Sequence, residues 1–198
     1  MKIAIFGGSF NPIHNAHVKL AQRFVDELGL DKVIFVPTNT TPLKDNSDIV
    51  TPFHRYNMCE IALEDFDNFE VSDVEIKREG LSYSSDTIAC FKEQFKNDEL
   101  FFIMGADMFV TLEKWHNFEY IFKNVTILTA PRDGYDYEYL CDIKKSYDKY
   151  SCKAYITEEY IEDLSSTEIR DMIKEDKNIS AYLNDEVIKY IFNNKLYG

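Results

Sequence analysis

The sequence predicts an α/β fold: a doubly wound, mainly parallel sheet with helices on both faces, in a single domain covering residues 1–198. Three observations predict it. Short runs rich in β-branched and aromatic residues alternate with stretches of helical period, the first run ends in Gly7-Gly8, and an amphipathic helix follows that turn directly. Such alternation sandwiches a parallel sheet between helices, and ligands then sit beyond the carboxyl ends of the strands. A chain of 198 residues is long enough to bury a core unaided.

Residues 2–6, 32–37, 69–76, 100–104 and 125–130 read as buried strands, with 153–156 a weaker sixth. Between the first two, residues 18–28 put Leu20, Ala21, Phe24, Val25 and Leu28 on one helical face, and Gly29 is the stop. Thr51-Pro52 opens a second helix reaching about residue 65, and His54-Arg55 reads as a surface pair at its start. Residues 84–96 predict a third helix, 117–122 a short one after Trp115, and 165–175 and 183–195 close the chain. Two stretches read as long surface loops of the kind that often carry function: 38–50, rich in Thr, Asn and Asp, and 132–150, rich in Tyr and Asp. There is no internal repeat.

A net charge of −13 argues against a nucleic-acid groove, which needs a basic face to neutralise phosphates. Small anionic substrates remain, provided that cations and backbone N–H groups are placed locally. No stretch approaches the ~20 apolar residues that span a bilayer, and strand-forming residues begin at Lys2, so the expectation is a cytoplasmic protein without a membrane partner. Cys59, Cys90, Cys141 and Cys152 form no C-x-x-C pair and read as reduced thiols. With H-E-x-x-H also absent, no metal-ligating set is expected.

The turn at Gly7-Gly8-Ser9 lets the backbone approach a ligand closely. It is neither the G-x-G-x-x-G of a dinucleotide fold nor the G-x-x-x-x-G-K-[ST] of a P-loop. His14 and His17 follow at the helix start, where unpaired N–H groups and the helix dipole favour an anion. Other readings stay open: the glycines as a plain tight turn, His17, in phase with Leu20 and Ala21, as a hydrogen-bonded core histidine, and the two histidines as a metal pair with no further ligand evident. Near the other end, Ser165-Ser166-Thr167-Glu168-Ile169-Arg170 fits a capping box, which accounts for Ser165 and Glu168. It does not account for Arg170, a cation one and a half turns into the helix, near the positive end of the dipole. A phosphate held there reverses the sign of that interaction.

Gly7 through His17 resembles the G-G-x-F-[DN]-P-x-H-x-G-H signature of the nucleotidyltransferases related to class I aminoacyl-tRNA synthetases, and Ser165 to Arg170 resembles their S-S-T-x-I-R motif. Ala16 stands where that family usually has glycine, and Asn11 where aspartate is more usual. Within the superfamily the chain is similar over nearly its whole length to the bacterial nicotinate-mononucleotide adenylyltransferases. The landmarks are Val36-Pro37 with Pro42 and Lys44, Ser82-Tyr83-Ser84 with Asp86-Thr87, Gly105-Ala106-Asp107, Lys114-Trp115, Pro131-Arg132 and Leu196-Tyr197. It departs at Thr38, Leu43, Ser84 and His116, where the family often has Asn, His, Thr and Tyr.

The resemblance implies a Rossmann-like fold and the transfer of an adenylyl group from ATP to nicotinate mononucleotide, giving deamido-NAD and pyrophosphate. It implies His14, His17 and Arg170 as the catalytic phosphate contacts, and Gly7, Gly8, Ser9, Phe10, Gly105, Asp107, Ser166 and Thr167 as further ATP-binding positions. Asn39, Lys44, Tyr83, Ser84, Trp115 and Arg132 fall to the mononucleotide, with Trp115 stacked on the pyridine ring and Lys44 and Arg132 on the phosphate. Mg²⁺ is implied as a cofactor bound mainly through the ATP phosphates. A homo-oligomeric assembly stays open. So do packing for Trp115, a solvated surface for Lys44 and Arg132, and a helix entry for Gly105-Ala106-Asp107. The competing functions are adenylyl transfer to nicotinamide mononucleotide or another phosphate-bearing acceptor, and a non-catalytic nucleotide-binding regulatory module.

Overall fold

The computed structural model describes residues 1–40, 49–78, 80–160 and 164–198. Its strands are β1 (Lys2–Gly8), β2 (Lys32–Pro37), β3 (Phe69–Val71), β4 (Glu99–Ile103), β5 (Thr126–Thr129) and β6 (Lys153–Ile156). They pair in the order β3-β2-β1-β4-β5-β6, and every pairing is parallel. The chain therefore winds outward from β1 to β3, crosses back to the other side of β1, and winds outward again to β6. This is the strand order of a doubly wound fold, as the alternation in the sequence predicts.

The helices in chain order are α1 (Asn15–Leu28), α2 (Pro52–Leu63), α3 (Val74–Arg78), α4 (Ser84–Gln94), α5 (Ala106–Phe109), α6 (Phe118–Asn124), α7 (Tyr137–Ser146), α8 (Ser166–Lys174) and α9 (Asp185–Asn193). Successive strand residues face opposite sides. Ala4, Phe6, Val33, Phe35, Phe101 and Ile103 join a core with Phe24 of α1, Met58 of α2, Ile169 of α8 and Val187 of α9. Ile3, Ile5, Ile34, Val36, Leu100 and Phe102 face the other way, onto Ile88 of α4, Ile121 of α6 and Leu140 of α7. Burial on both faces is why these strands read as nearly continuous apolar runs. α1 stops where expected, at Gly29 (φ 61°), whose N–H donates to the Val25 carbonyl.

Two expectations need correction. The strand foreseen over 69–76 ends at Val71, because the turn-forming pair Ser72-Asp73 starts α3, with the Lys77 N–H on the Asp73 carbonyl. The loop foreseen over 132–150 contains α7, which Asp136 caps by accepting the Tyr139 N–H at 2.8 Å. Leu140 is the buried residue of that helix, and the surrounding Tyr and Asp residues give the stretch the composition of a loop.

Candidate active site

The sheet itself opens the site. Phe6 is the last β1 residue paired with β4, opposite Ile103, whereas Gly7 and Gly8 continue alongside Val36 and Pro37 of β2. Strand order reverses between β1 and β4, so the carboxyl edge parts where a doubly wound sheet places its ligand crevice. Beyond that edge the chain folds back. Phe10 takes a left-handed backbone (φ 45°) and turns its ring edge-on to Phe6, 5.5 Å between centroids, and to His17, 5.1 Å. A Cβ on Gly8 would sit 3.0 Å from that ring, so a side chain there would require the ring to give way. Phe10 is 1% exposed. Its side chain belongs to the core, and it can offer a nucleotide only its main chain.

The same turn sets the two histidines. His14 precedes the first turn of α1, and its N–H donates to Nδ1 of His17 at 3.2 Å. With Nδ1 of His17 an acceptor, the proton of the neutral ring lies on Nε2. The rings stack with centroids 3.7 Å apart. His14, not His17, is the buried one: it is 6% exposed and its Nδ1 lies buried without a hydrogen bond, while His17 is half-buried. Burial, and after it the positive charge of Arg132, pushes the His14 pKa down to about 4.

The two motifs, far apart in sequence, meet here. Nη1 of Arg170 donates to the Asn11 carbonyl at 3.0 Å, and the Ser166 hydroxyl donates to the Pro12 carbonyl at 2.9 Å. Nη2 of Arg170 donates to Thr167 Oγ1 at 3.2 Å, and Arg170 Nε is buried without a partner. The capping box forms as the sequence predicts, with the Glu168 N–H on Ser165 Oγ and the Ser165 N–H on Glu168 Oε2. The Ser165 hydroxyl, which also donates to Glu168 Oε2 at 2.7 Å, and after it the Ser165 N–H hold the Glu168 carboxyl below its ordinary value. Asn11, 2% exposed, accepts through Oδ1 from the Val50 N–H at 3.2 Å and from the Tyr197 hydroxyl at 2.9 Å, so the chain's end is tied to the same turn.

On the β2 side, the Thr38 N–H donates to the Gly8 carbonyl at 2.9 Å. The Asn39 N–H donates to Ser82 Oγ at 2.9 Å and its side chain to the Gly80 carbonyl at 3.2 Å. That connection carries Tyr83 and Ser84, both half-buried, to the start of α4. The Tyr83 ring lies 4.4 Å from that of His116, and the half-buried Trp115 packs on the adjoining core with its Nε1 buried and without a hydrogen bond. Beyond β4, a Cβ on Gly105 would fall 2.7 Å from Asp107 Oδ1, so the carboxylate folds back over the glycine. Gly105, not Asp107, is the residue that caps α5. Nη1 of Arg132 stands 3.8 Å from that carboxylate. Arg132, expected at the mononucleotide phosphate, is thus grouped with Asp107 and close enough to act on His14. Lys44 lies outside the described residues.

Sequence reasoning missed one residue. Arg55, expected at the surface, is 0% exposed, and its guanidinium donates to the carbonyls of Val50, Ser9, Thr38 and Asn39. Nothing in its own sequence window signals this, because all its partners are main-chain oxygens from other segments. Among the described residues, no three His, Cys, Asp or Glu side chains converge as a metal site, and no helix is long and apolar enough to cross a membrane.

A family model described as cytidylyltransferase-like matches residues 5–172. A protein of Clostridium beijerinckii named "probable nicotinate-nucleotide adenylyltransferase" is 38% identical over 201 residues, covering 99% of this chain and 98% of its own. One of the same name from Clostridium botulinum strain Langeland is 40% identical over 197 residues, covering 98% of each chain. Among solved structures, the Plasmodium falciparum nicotinic acid mononucleotide adenylyltransferase complexed with NaAD superposes with a TM-score of 0.80 at 22% identity, over 99% of this chain and 97% of that one.

The buried His14 predicts a pH dependence. Its folded pKa lies below the ordinary value of 6.5, so the unfolded chain binds the proton more readily, and stability falls as pH drops from 6.5 toward about 4. Between pH 7 and pH 5 the ligand-free protein is expected to lose roughly 2 kcal/mol from this residue. Urea unfolding at the two pH values checks it: His14→Gln should lose less than the unsubstituted protein, and equal losses would refute the assignment.

Proposed function

The chain belongs to the cytidylyltransferase-like family and, within it, to the nicotinate-nucleotide adenylyltransferases, and from that premise we propose that it transfers the adenylyl group of ATP to nicotinate mononucleotide. The products are deamido-NAD and pyrophosphate, a step of NAD biosynthesis, and the proposed location is the cytoplasm. The observation that carries this reading is the direct bonding of Arg170 and Ser166 to the main chain of Asn11 and Pro12. It draws a helix start, an arginine and two histidines around one crevice, the donor set that a polyphosphate calls for.

In the proposed reaction a phosphate oxygen of the mononucleotide attacks the α-phosphorus of ATP in line, and pyrophosphate leaves. The nucleophile is already an anion near neutral pH, so no general base is required. What remains is to position two mutually repelling anions and to stabilise the charge that develops. His14, His17 and Arg170, with the main chain at Gly7, Gly8, Ser9 and Phe10 and the hydroxyls of Ser166 and Thr167, serve the ATP phosphates. Gly105 and Asp107 serve its ribose. Arg132 adds positive charge beside His14 and Asp107, and Lys44 is proposed at the mononucleotide phosphate. Asn39, Tyr83 and Ser84 stand at the start of α4, whose N–H groups and Ser84 hydroxyl suit a pyridine carboxylate better than an amide. Trp115 offers its ring for stacking.

The donors around the crevice are cationic or neutral, with Asp107 and Glu168 as nearby carboxylates. They fit a Mg²⁺ ion that arrives with the nucleotide and is held mainly by phosphate oxygens and water. When bound, the ion supplies further neutralisation of the phosphates.

Pyrophosphate release from ATP, Mg²⁺ and either the acid or the amide mononucleotide tests the proposal, with the acid expected to be the better substrate. ATP binding without any pyrophosphate would point instead to a regulatory module. His17→Ala is expected to lower kcat by on the order of 100-fold while the thermal midpoint stays put, and unchanged turnover would remove His17 from the phosphate site. Trp115→Ala should weaken the mononucleotide by about 1–3 kcal/mol, as loss of an aromatic stacking partner does. Its ATP KM should stay nearly constant; parallel increases in the two constants would mean that Trp115 only packs.

A further inference from the structure

We infer that Arg55 is a positioning residue for adenylyl transfer, joining the ATP-side turn to the acceptor-side loop so that the reacting phosphates meet at a fixed separation. The inference rests on the proposed reaction. Arg55 lies in the first turn of α2 and is wholly enclosed. Its Nε donates to the Val50 carbonyl at 3.1 Å, Nη1 to Ser9 at 2.7 Å, and Nη2 to Thr38 and, at 3.2 Å, to Asn39. Ser9 belongs to the glycine turn, Thr38 and Asn39 to the chain leaving β2, and Val50 to the chain entering α2. One rigid, planar group thus fixes the relative places of three segments, two of which carry proposed substrate contacts.

The far side of the acceptor loop is held as well. While its Thr38 and Asn39 carbonyls point to Arg55, the Asn39 N–H is bound by Ser82 Oγ. Near Ser82 lies Glu75, a 3% exposed carboxyl that accepts the Thr87 hydroxyl. The start of this loop cannot shift without disturbing the Ser9 turn, so Arg55, beside the direct Thr38 N–H to Gly8 carbonyl bond, couples an ATP bound at that turn to an acceptor bound near Asn39.

Stability alone does not call for this arrangement. Burying a cation is costly, and apolar side chains of similar volume often hold a core as well or better. A guanidinium whose contacts fall on carbonyls of the site-forming loops is suited to fixing geometry. Lysine would keep the charge but gather its donors on one nitrogen, which cannot span those oxygens.

The test compares Arg55→Lys with Leu30→Ala, a core truncation next to the amino-terminal end of β2 and away from the crevice. Arg55→Lys is expected to lower kcat/KM for both ATP and the mononucleotide, chiefly through kcat, by on the order of 100-fold, the cost of a 1 Å misplacement. Leu30→Ala should lower the thermal midpoint and leave both constants as they are. If Arg55→Lys only lowers the midpoint, its role is structural and the inference is overturned. A second measurement needs neither a variant nor turnover. In the ¹⁵N-labelled protein, Mg²⁺ with the α,β-methylene analogue of ATP, added alone, should shift the Arg55 Nε–H resonance and slow exchange of the Asn39 amide. An Asn39 amide indifferent to that analogue overturns the coupling, whereas wild-type protein releasing no pyrophosphate overturns the reaction and leaves this second result to decide the coupling.

Discussion

How far each strand runs beyond its neighbour decides where everything else in the site can stand. β1 outlasts β4 by two residues, and those two are glycines. Had β1 and β4 ended together, the edge would close at the point where strand order reverses. The overhang instead exposes a length of main chain that has a sheet partner on the β2 side alone. Side chains from distant parts of the sequence then bind the main chain around it: Arg55 takes the Ser9 carbonyl, Arg170 that of Asn11 and Ser166 that of Pro12. Hydrogen bonds from charged donors contribute roughly 1.5–3 kcal/mol each. The turn is therefore held rigid by contacts made through its carbonyls.

Much of this was legible because its causes are local. Strands buried on both faces must be apolar throughout, and Gly29 marks the end of α1 because a left-handed residue is needed there. The segments Gly7 to His17 and Ser165 to Arg170 were legible as helix starts with unusual polar residues, and the resemblance paired them. Their direct bonding through Asn11 and Pro12 is a tertiary fact to which neither segment's pattern refers.

What escaped the sequence has physical reasons too. Arg55 read as a surface cation because a charge without a carboxylate or metal partner is ordinarily solvated, and a cation that pairs with carbonyls leaves no complementary residue type to find. His17 read as the core candidate because it is in phase with Leu20 and Ala21, yet His14, lying before the helix, follows no helical period and is buried by the fold-back of the turn. Phe10 has the same history: its place in the core follows from its positive φ, which its neighbours do not announce. α7 was hidden because the stretch that holds it is rich in Tyr and Asp, a loop-like composition.

Charge explains why the buried histidine is suited to this place. A chain of net charge −13 has to bring two phosphate-bearing anions together against a repulsive background, and so it needs positive charge held locally. Permanent cations stacked in one crevice would repel each other in the empty protein, and Arg132 already acts on His14 in that way. A neutral His14 relieves that repulsion. A phosphate oxygen placed beside the ring favours the imidazolium, opposing both the burial and the Arg132 charge that hold its pKa down.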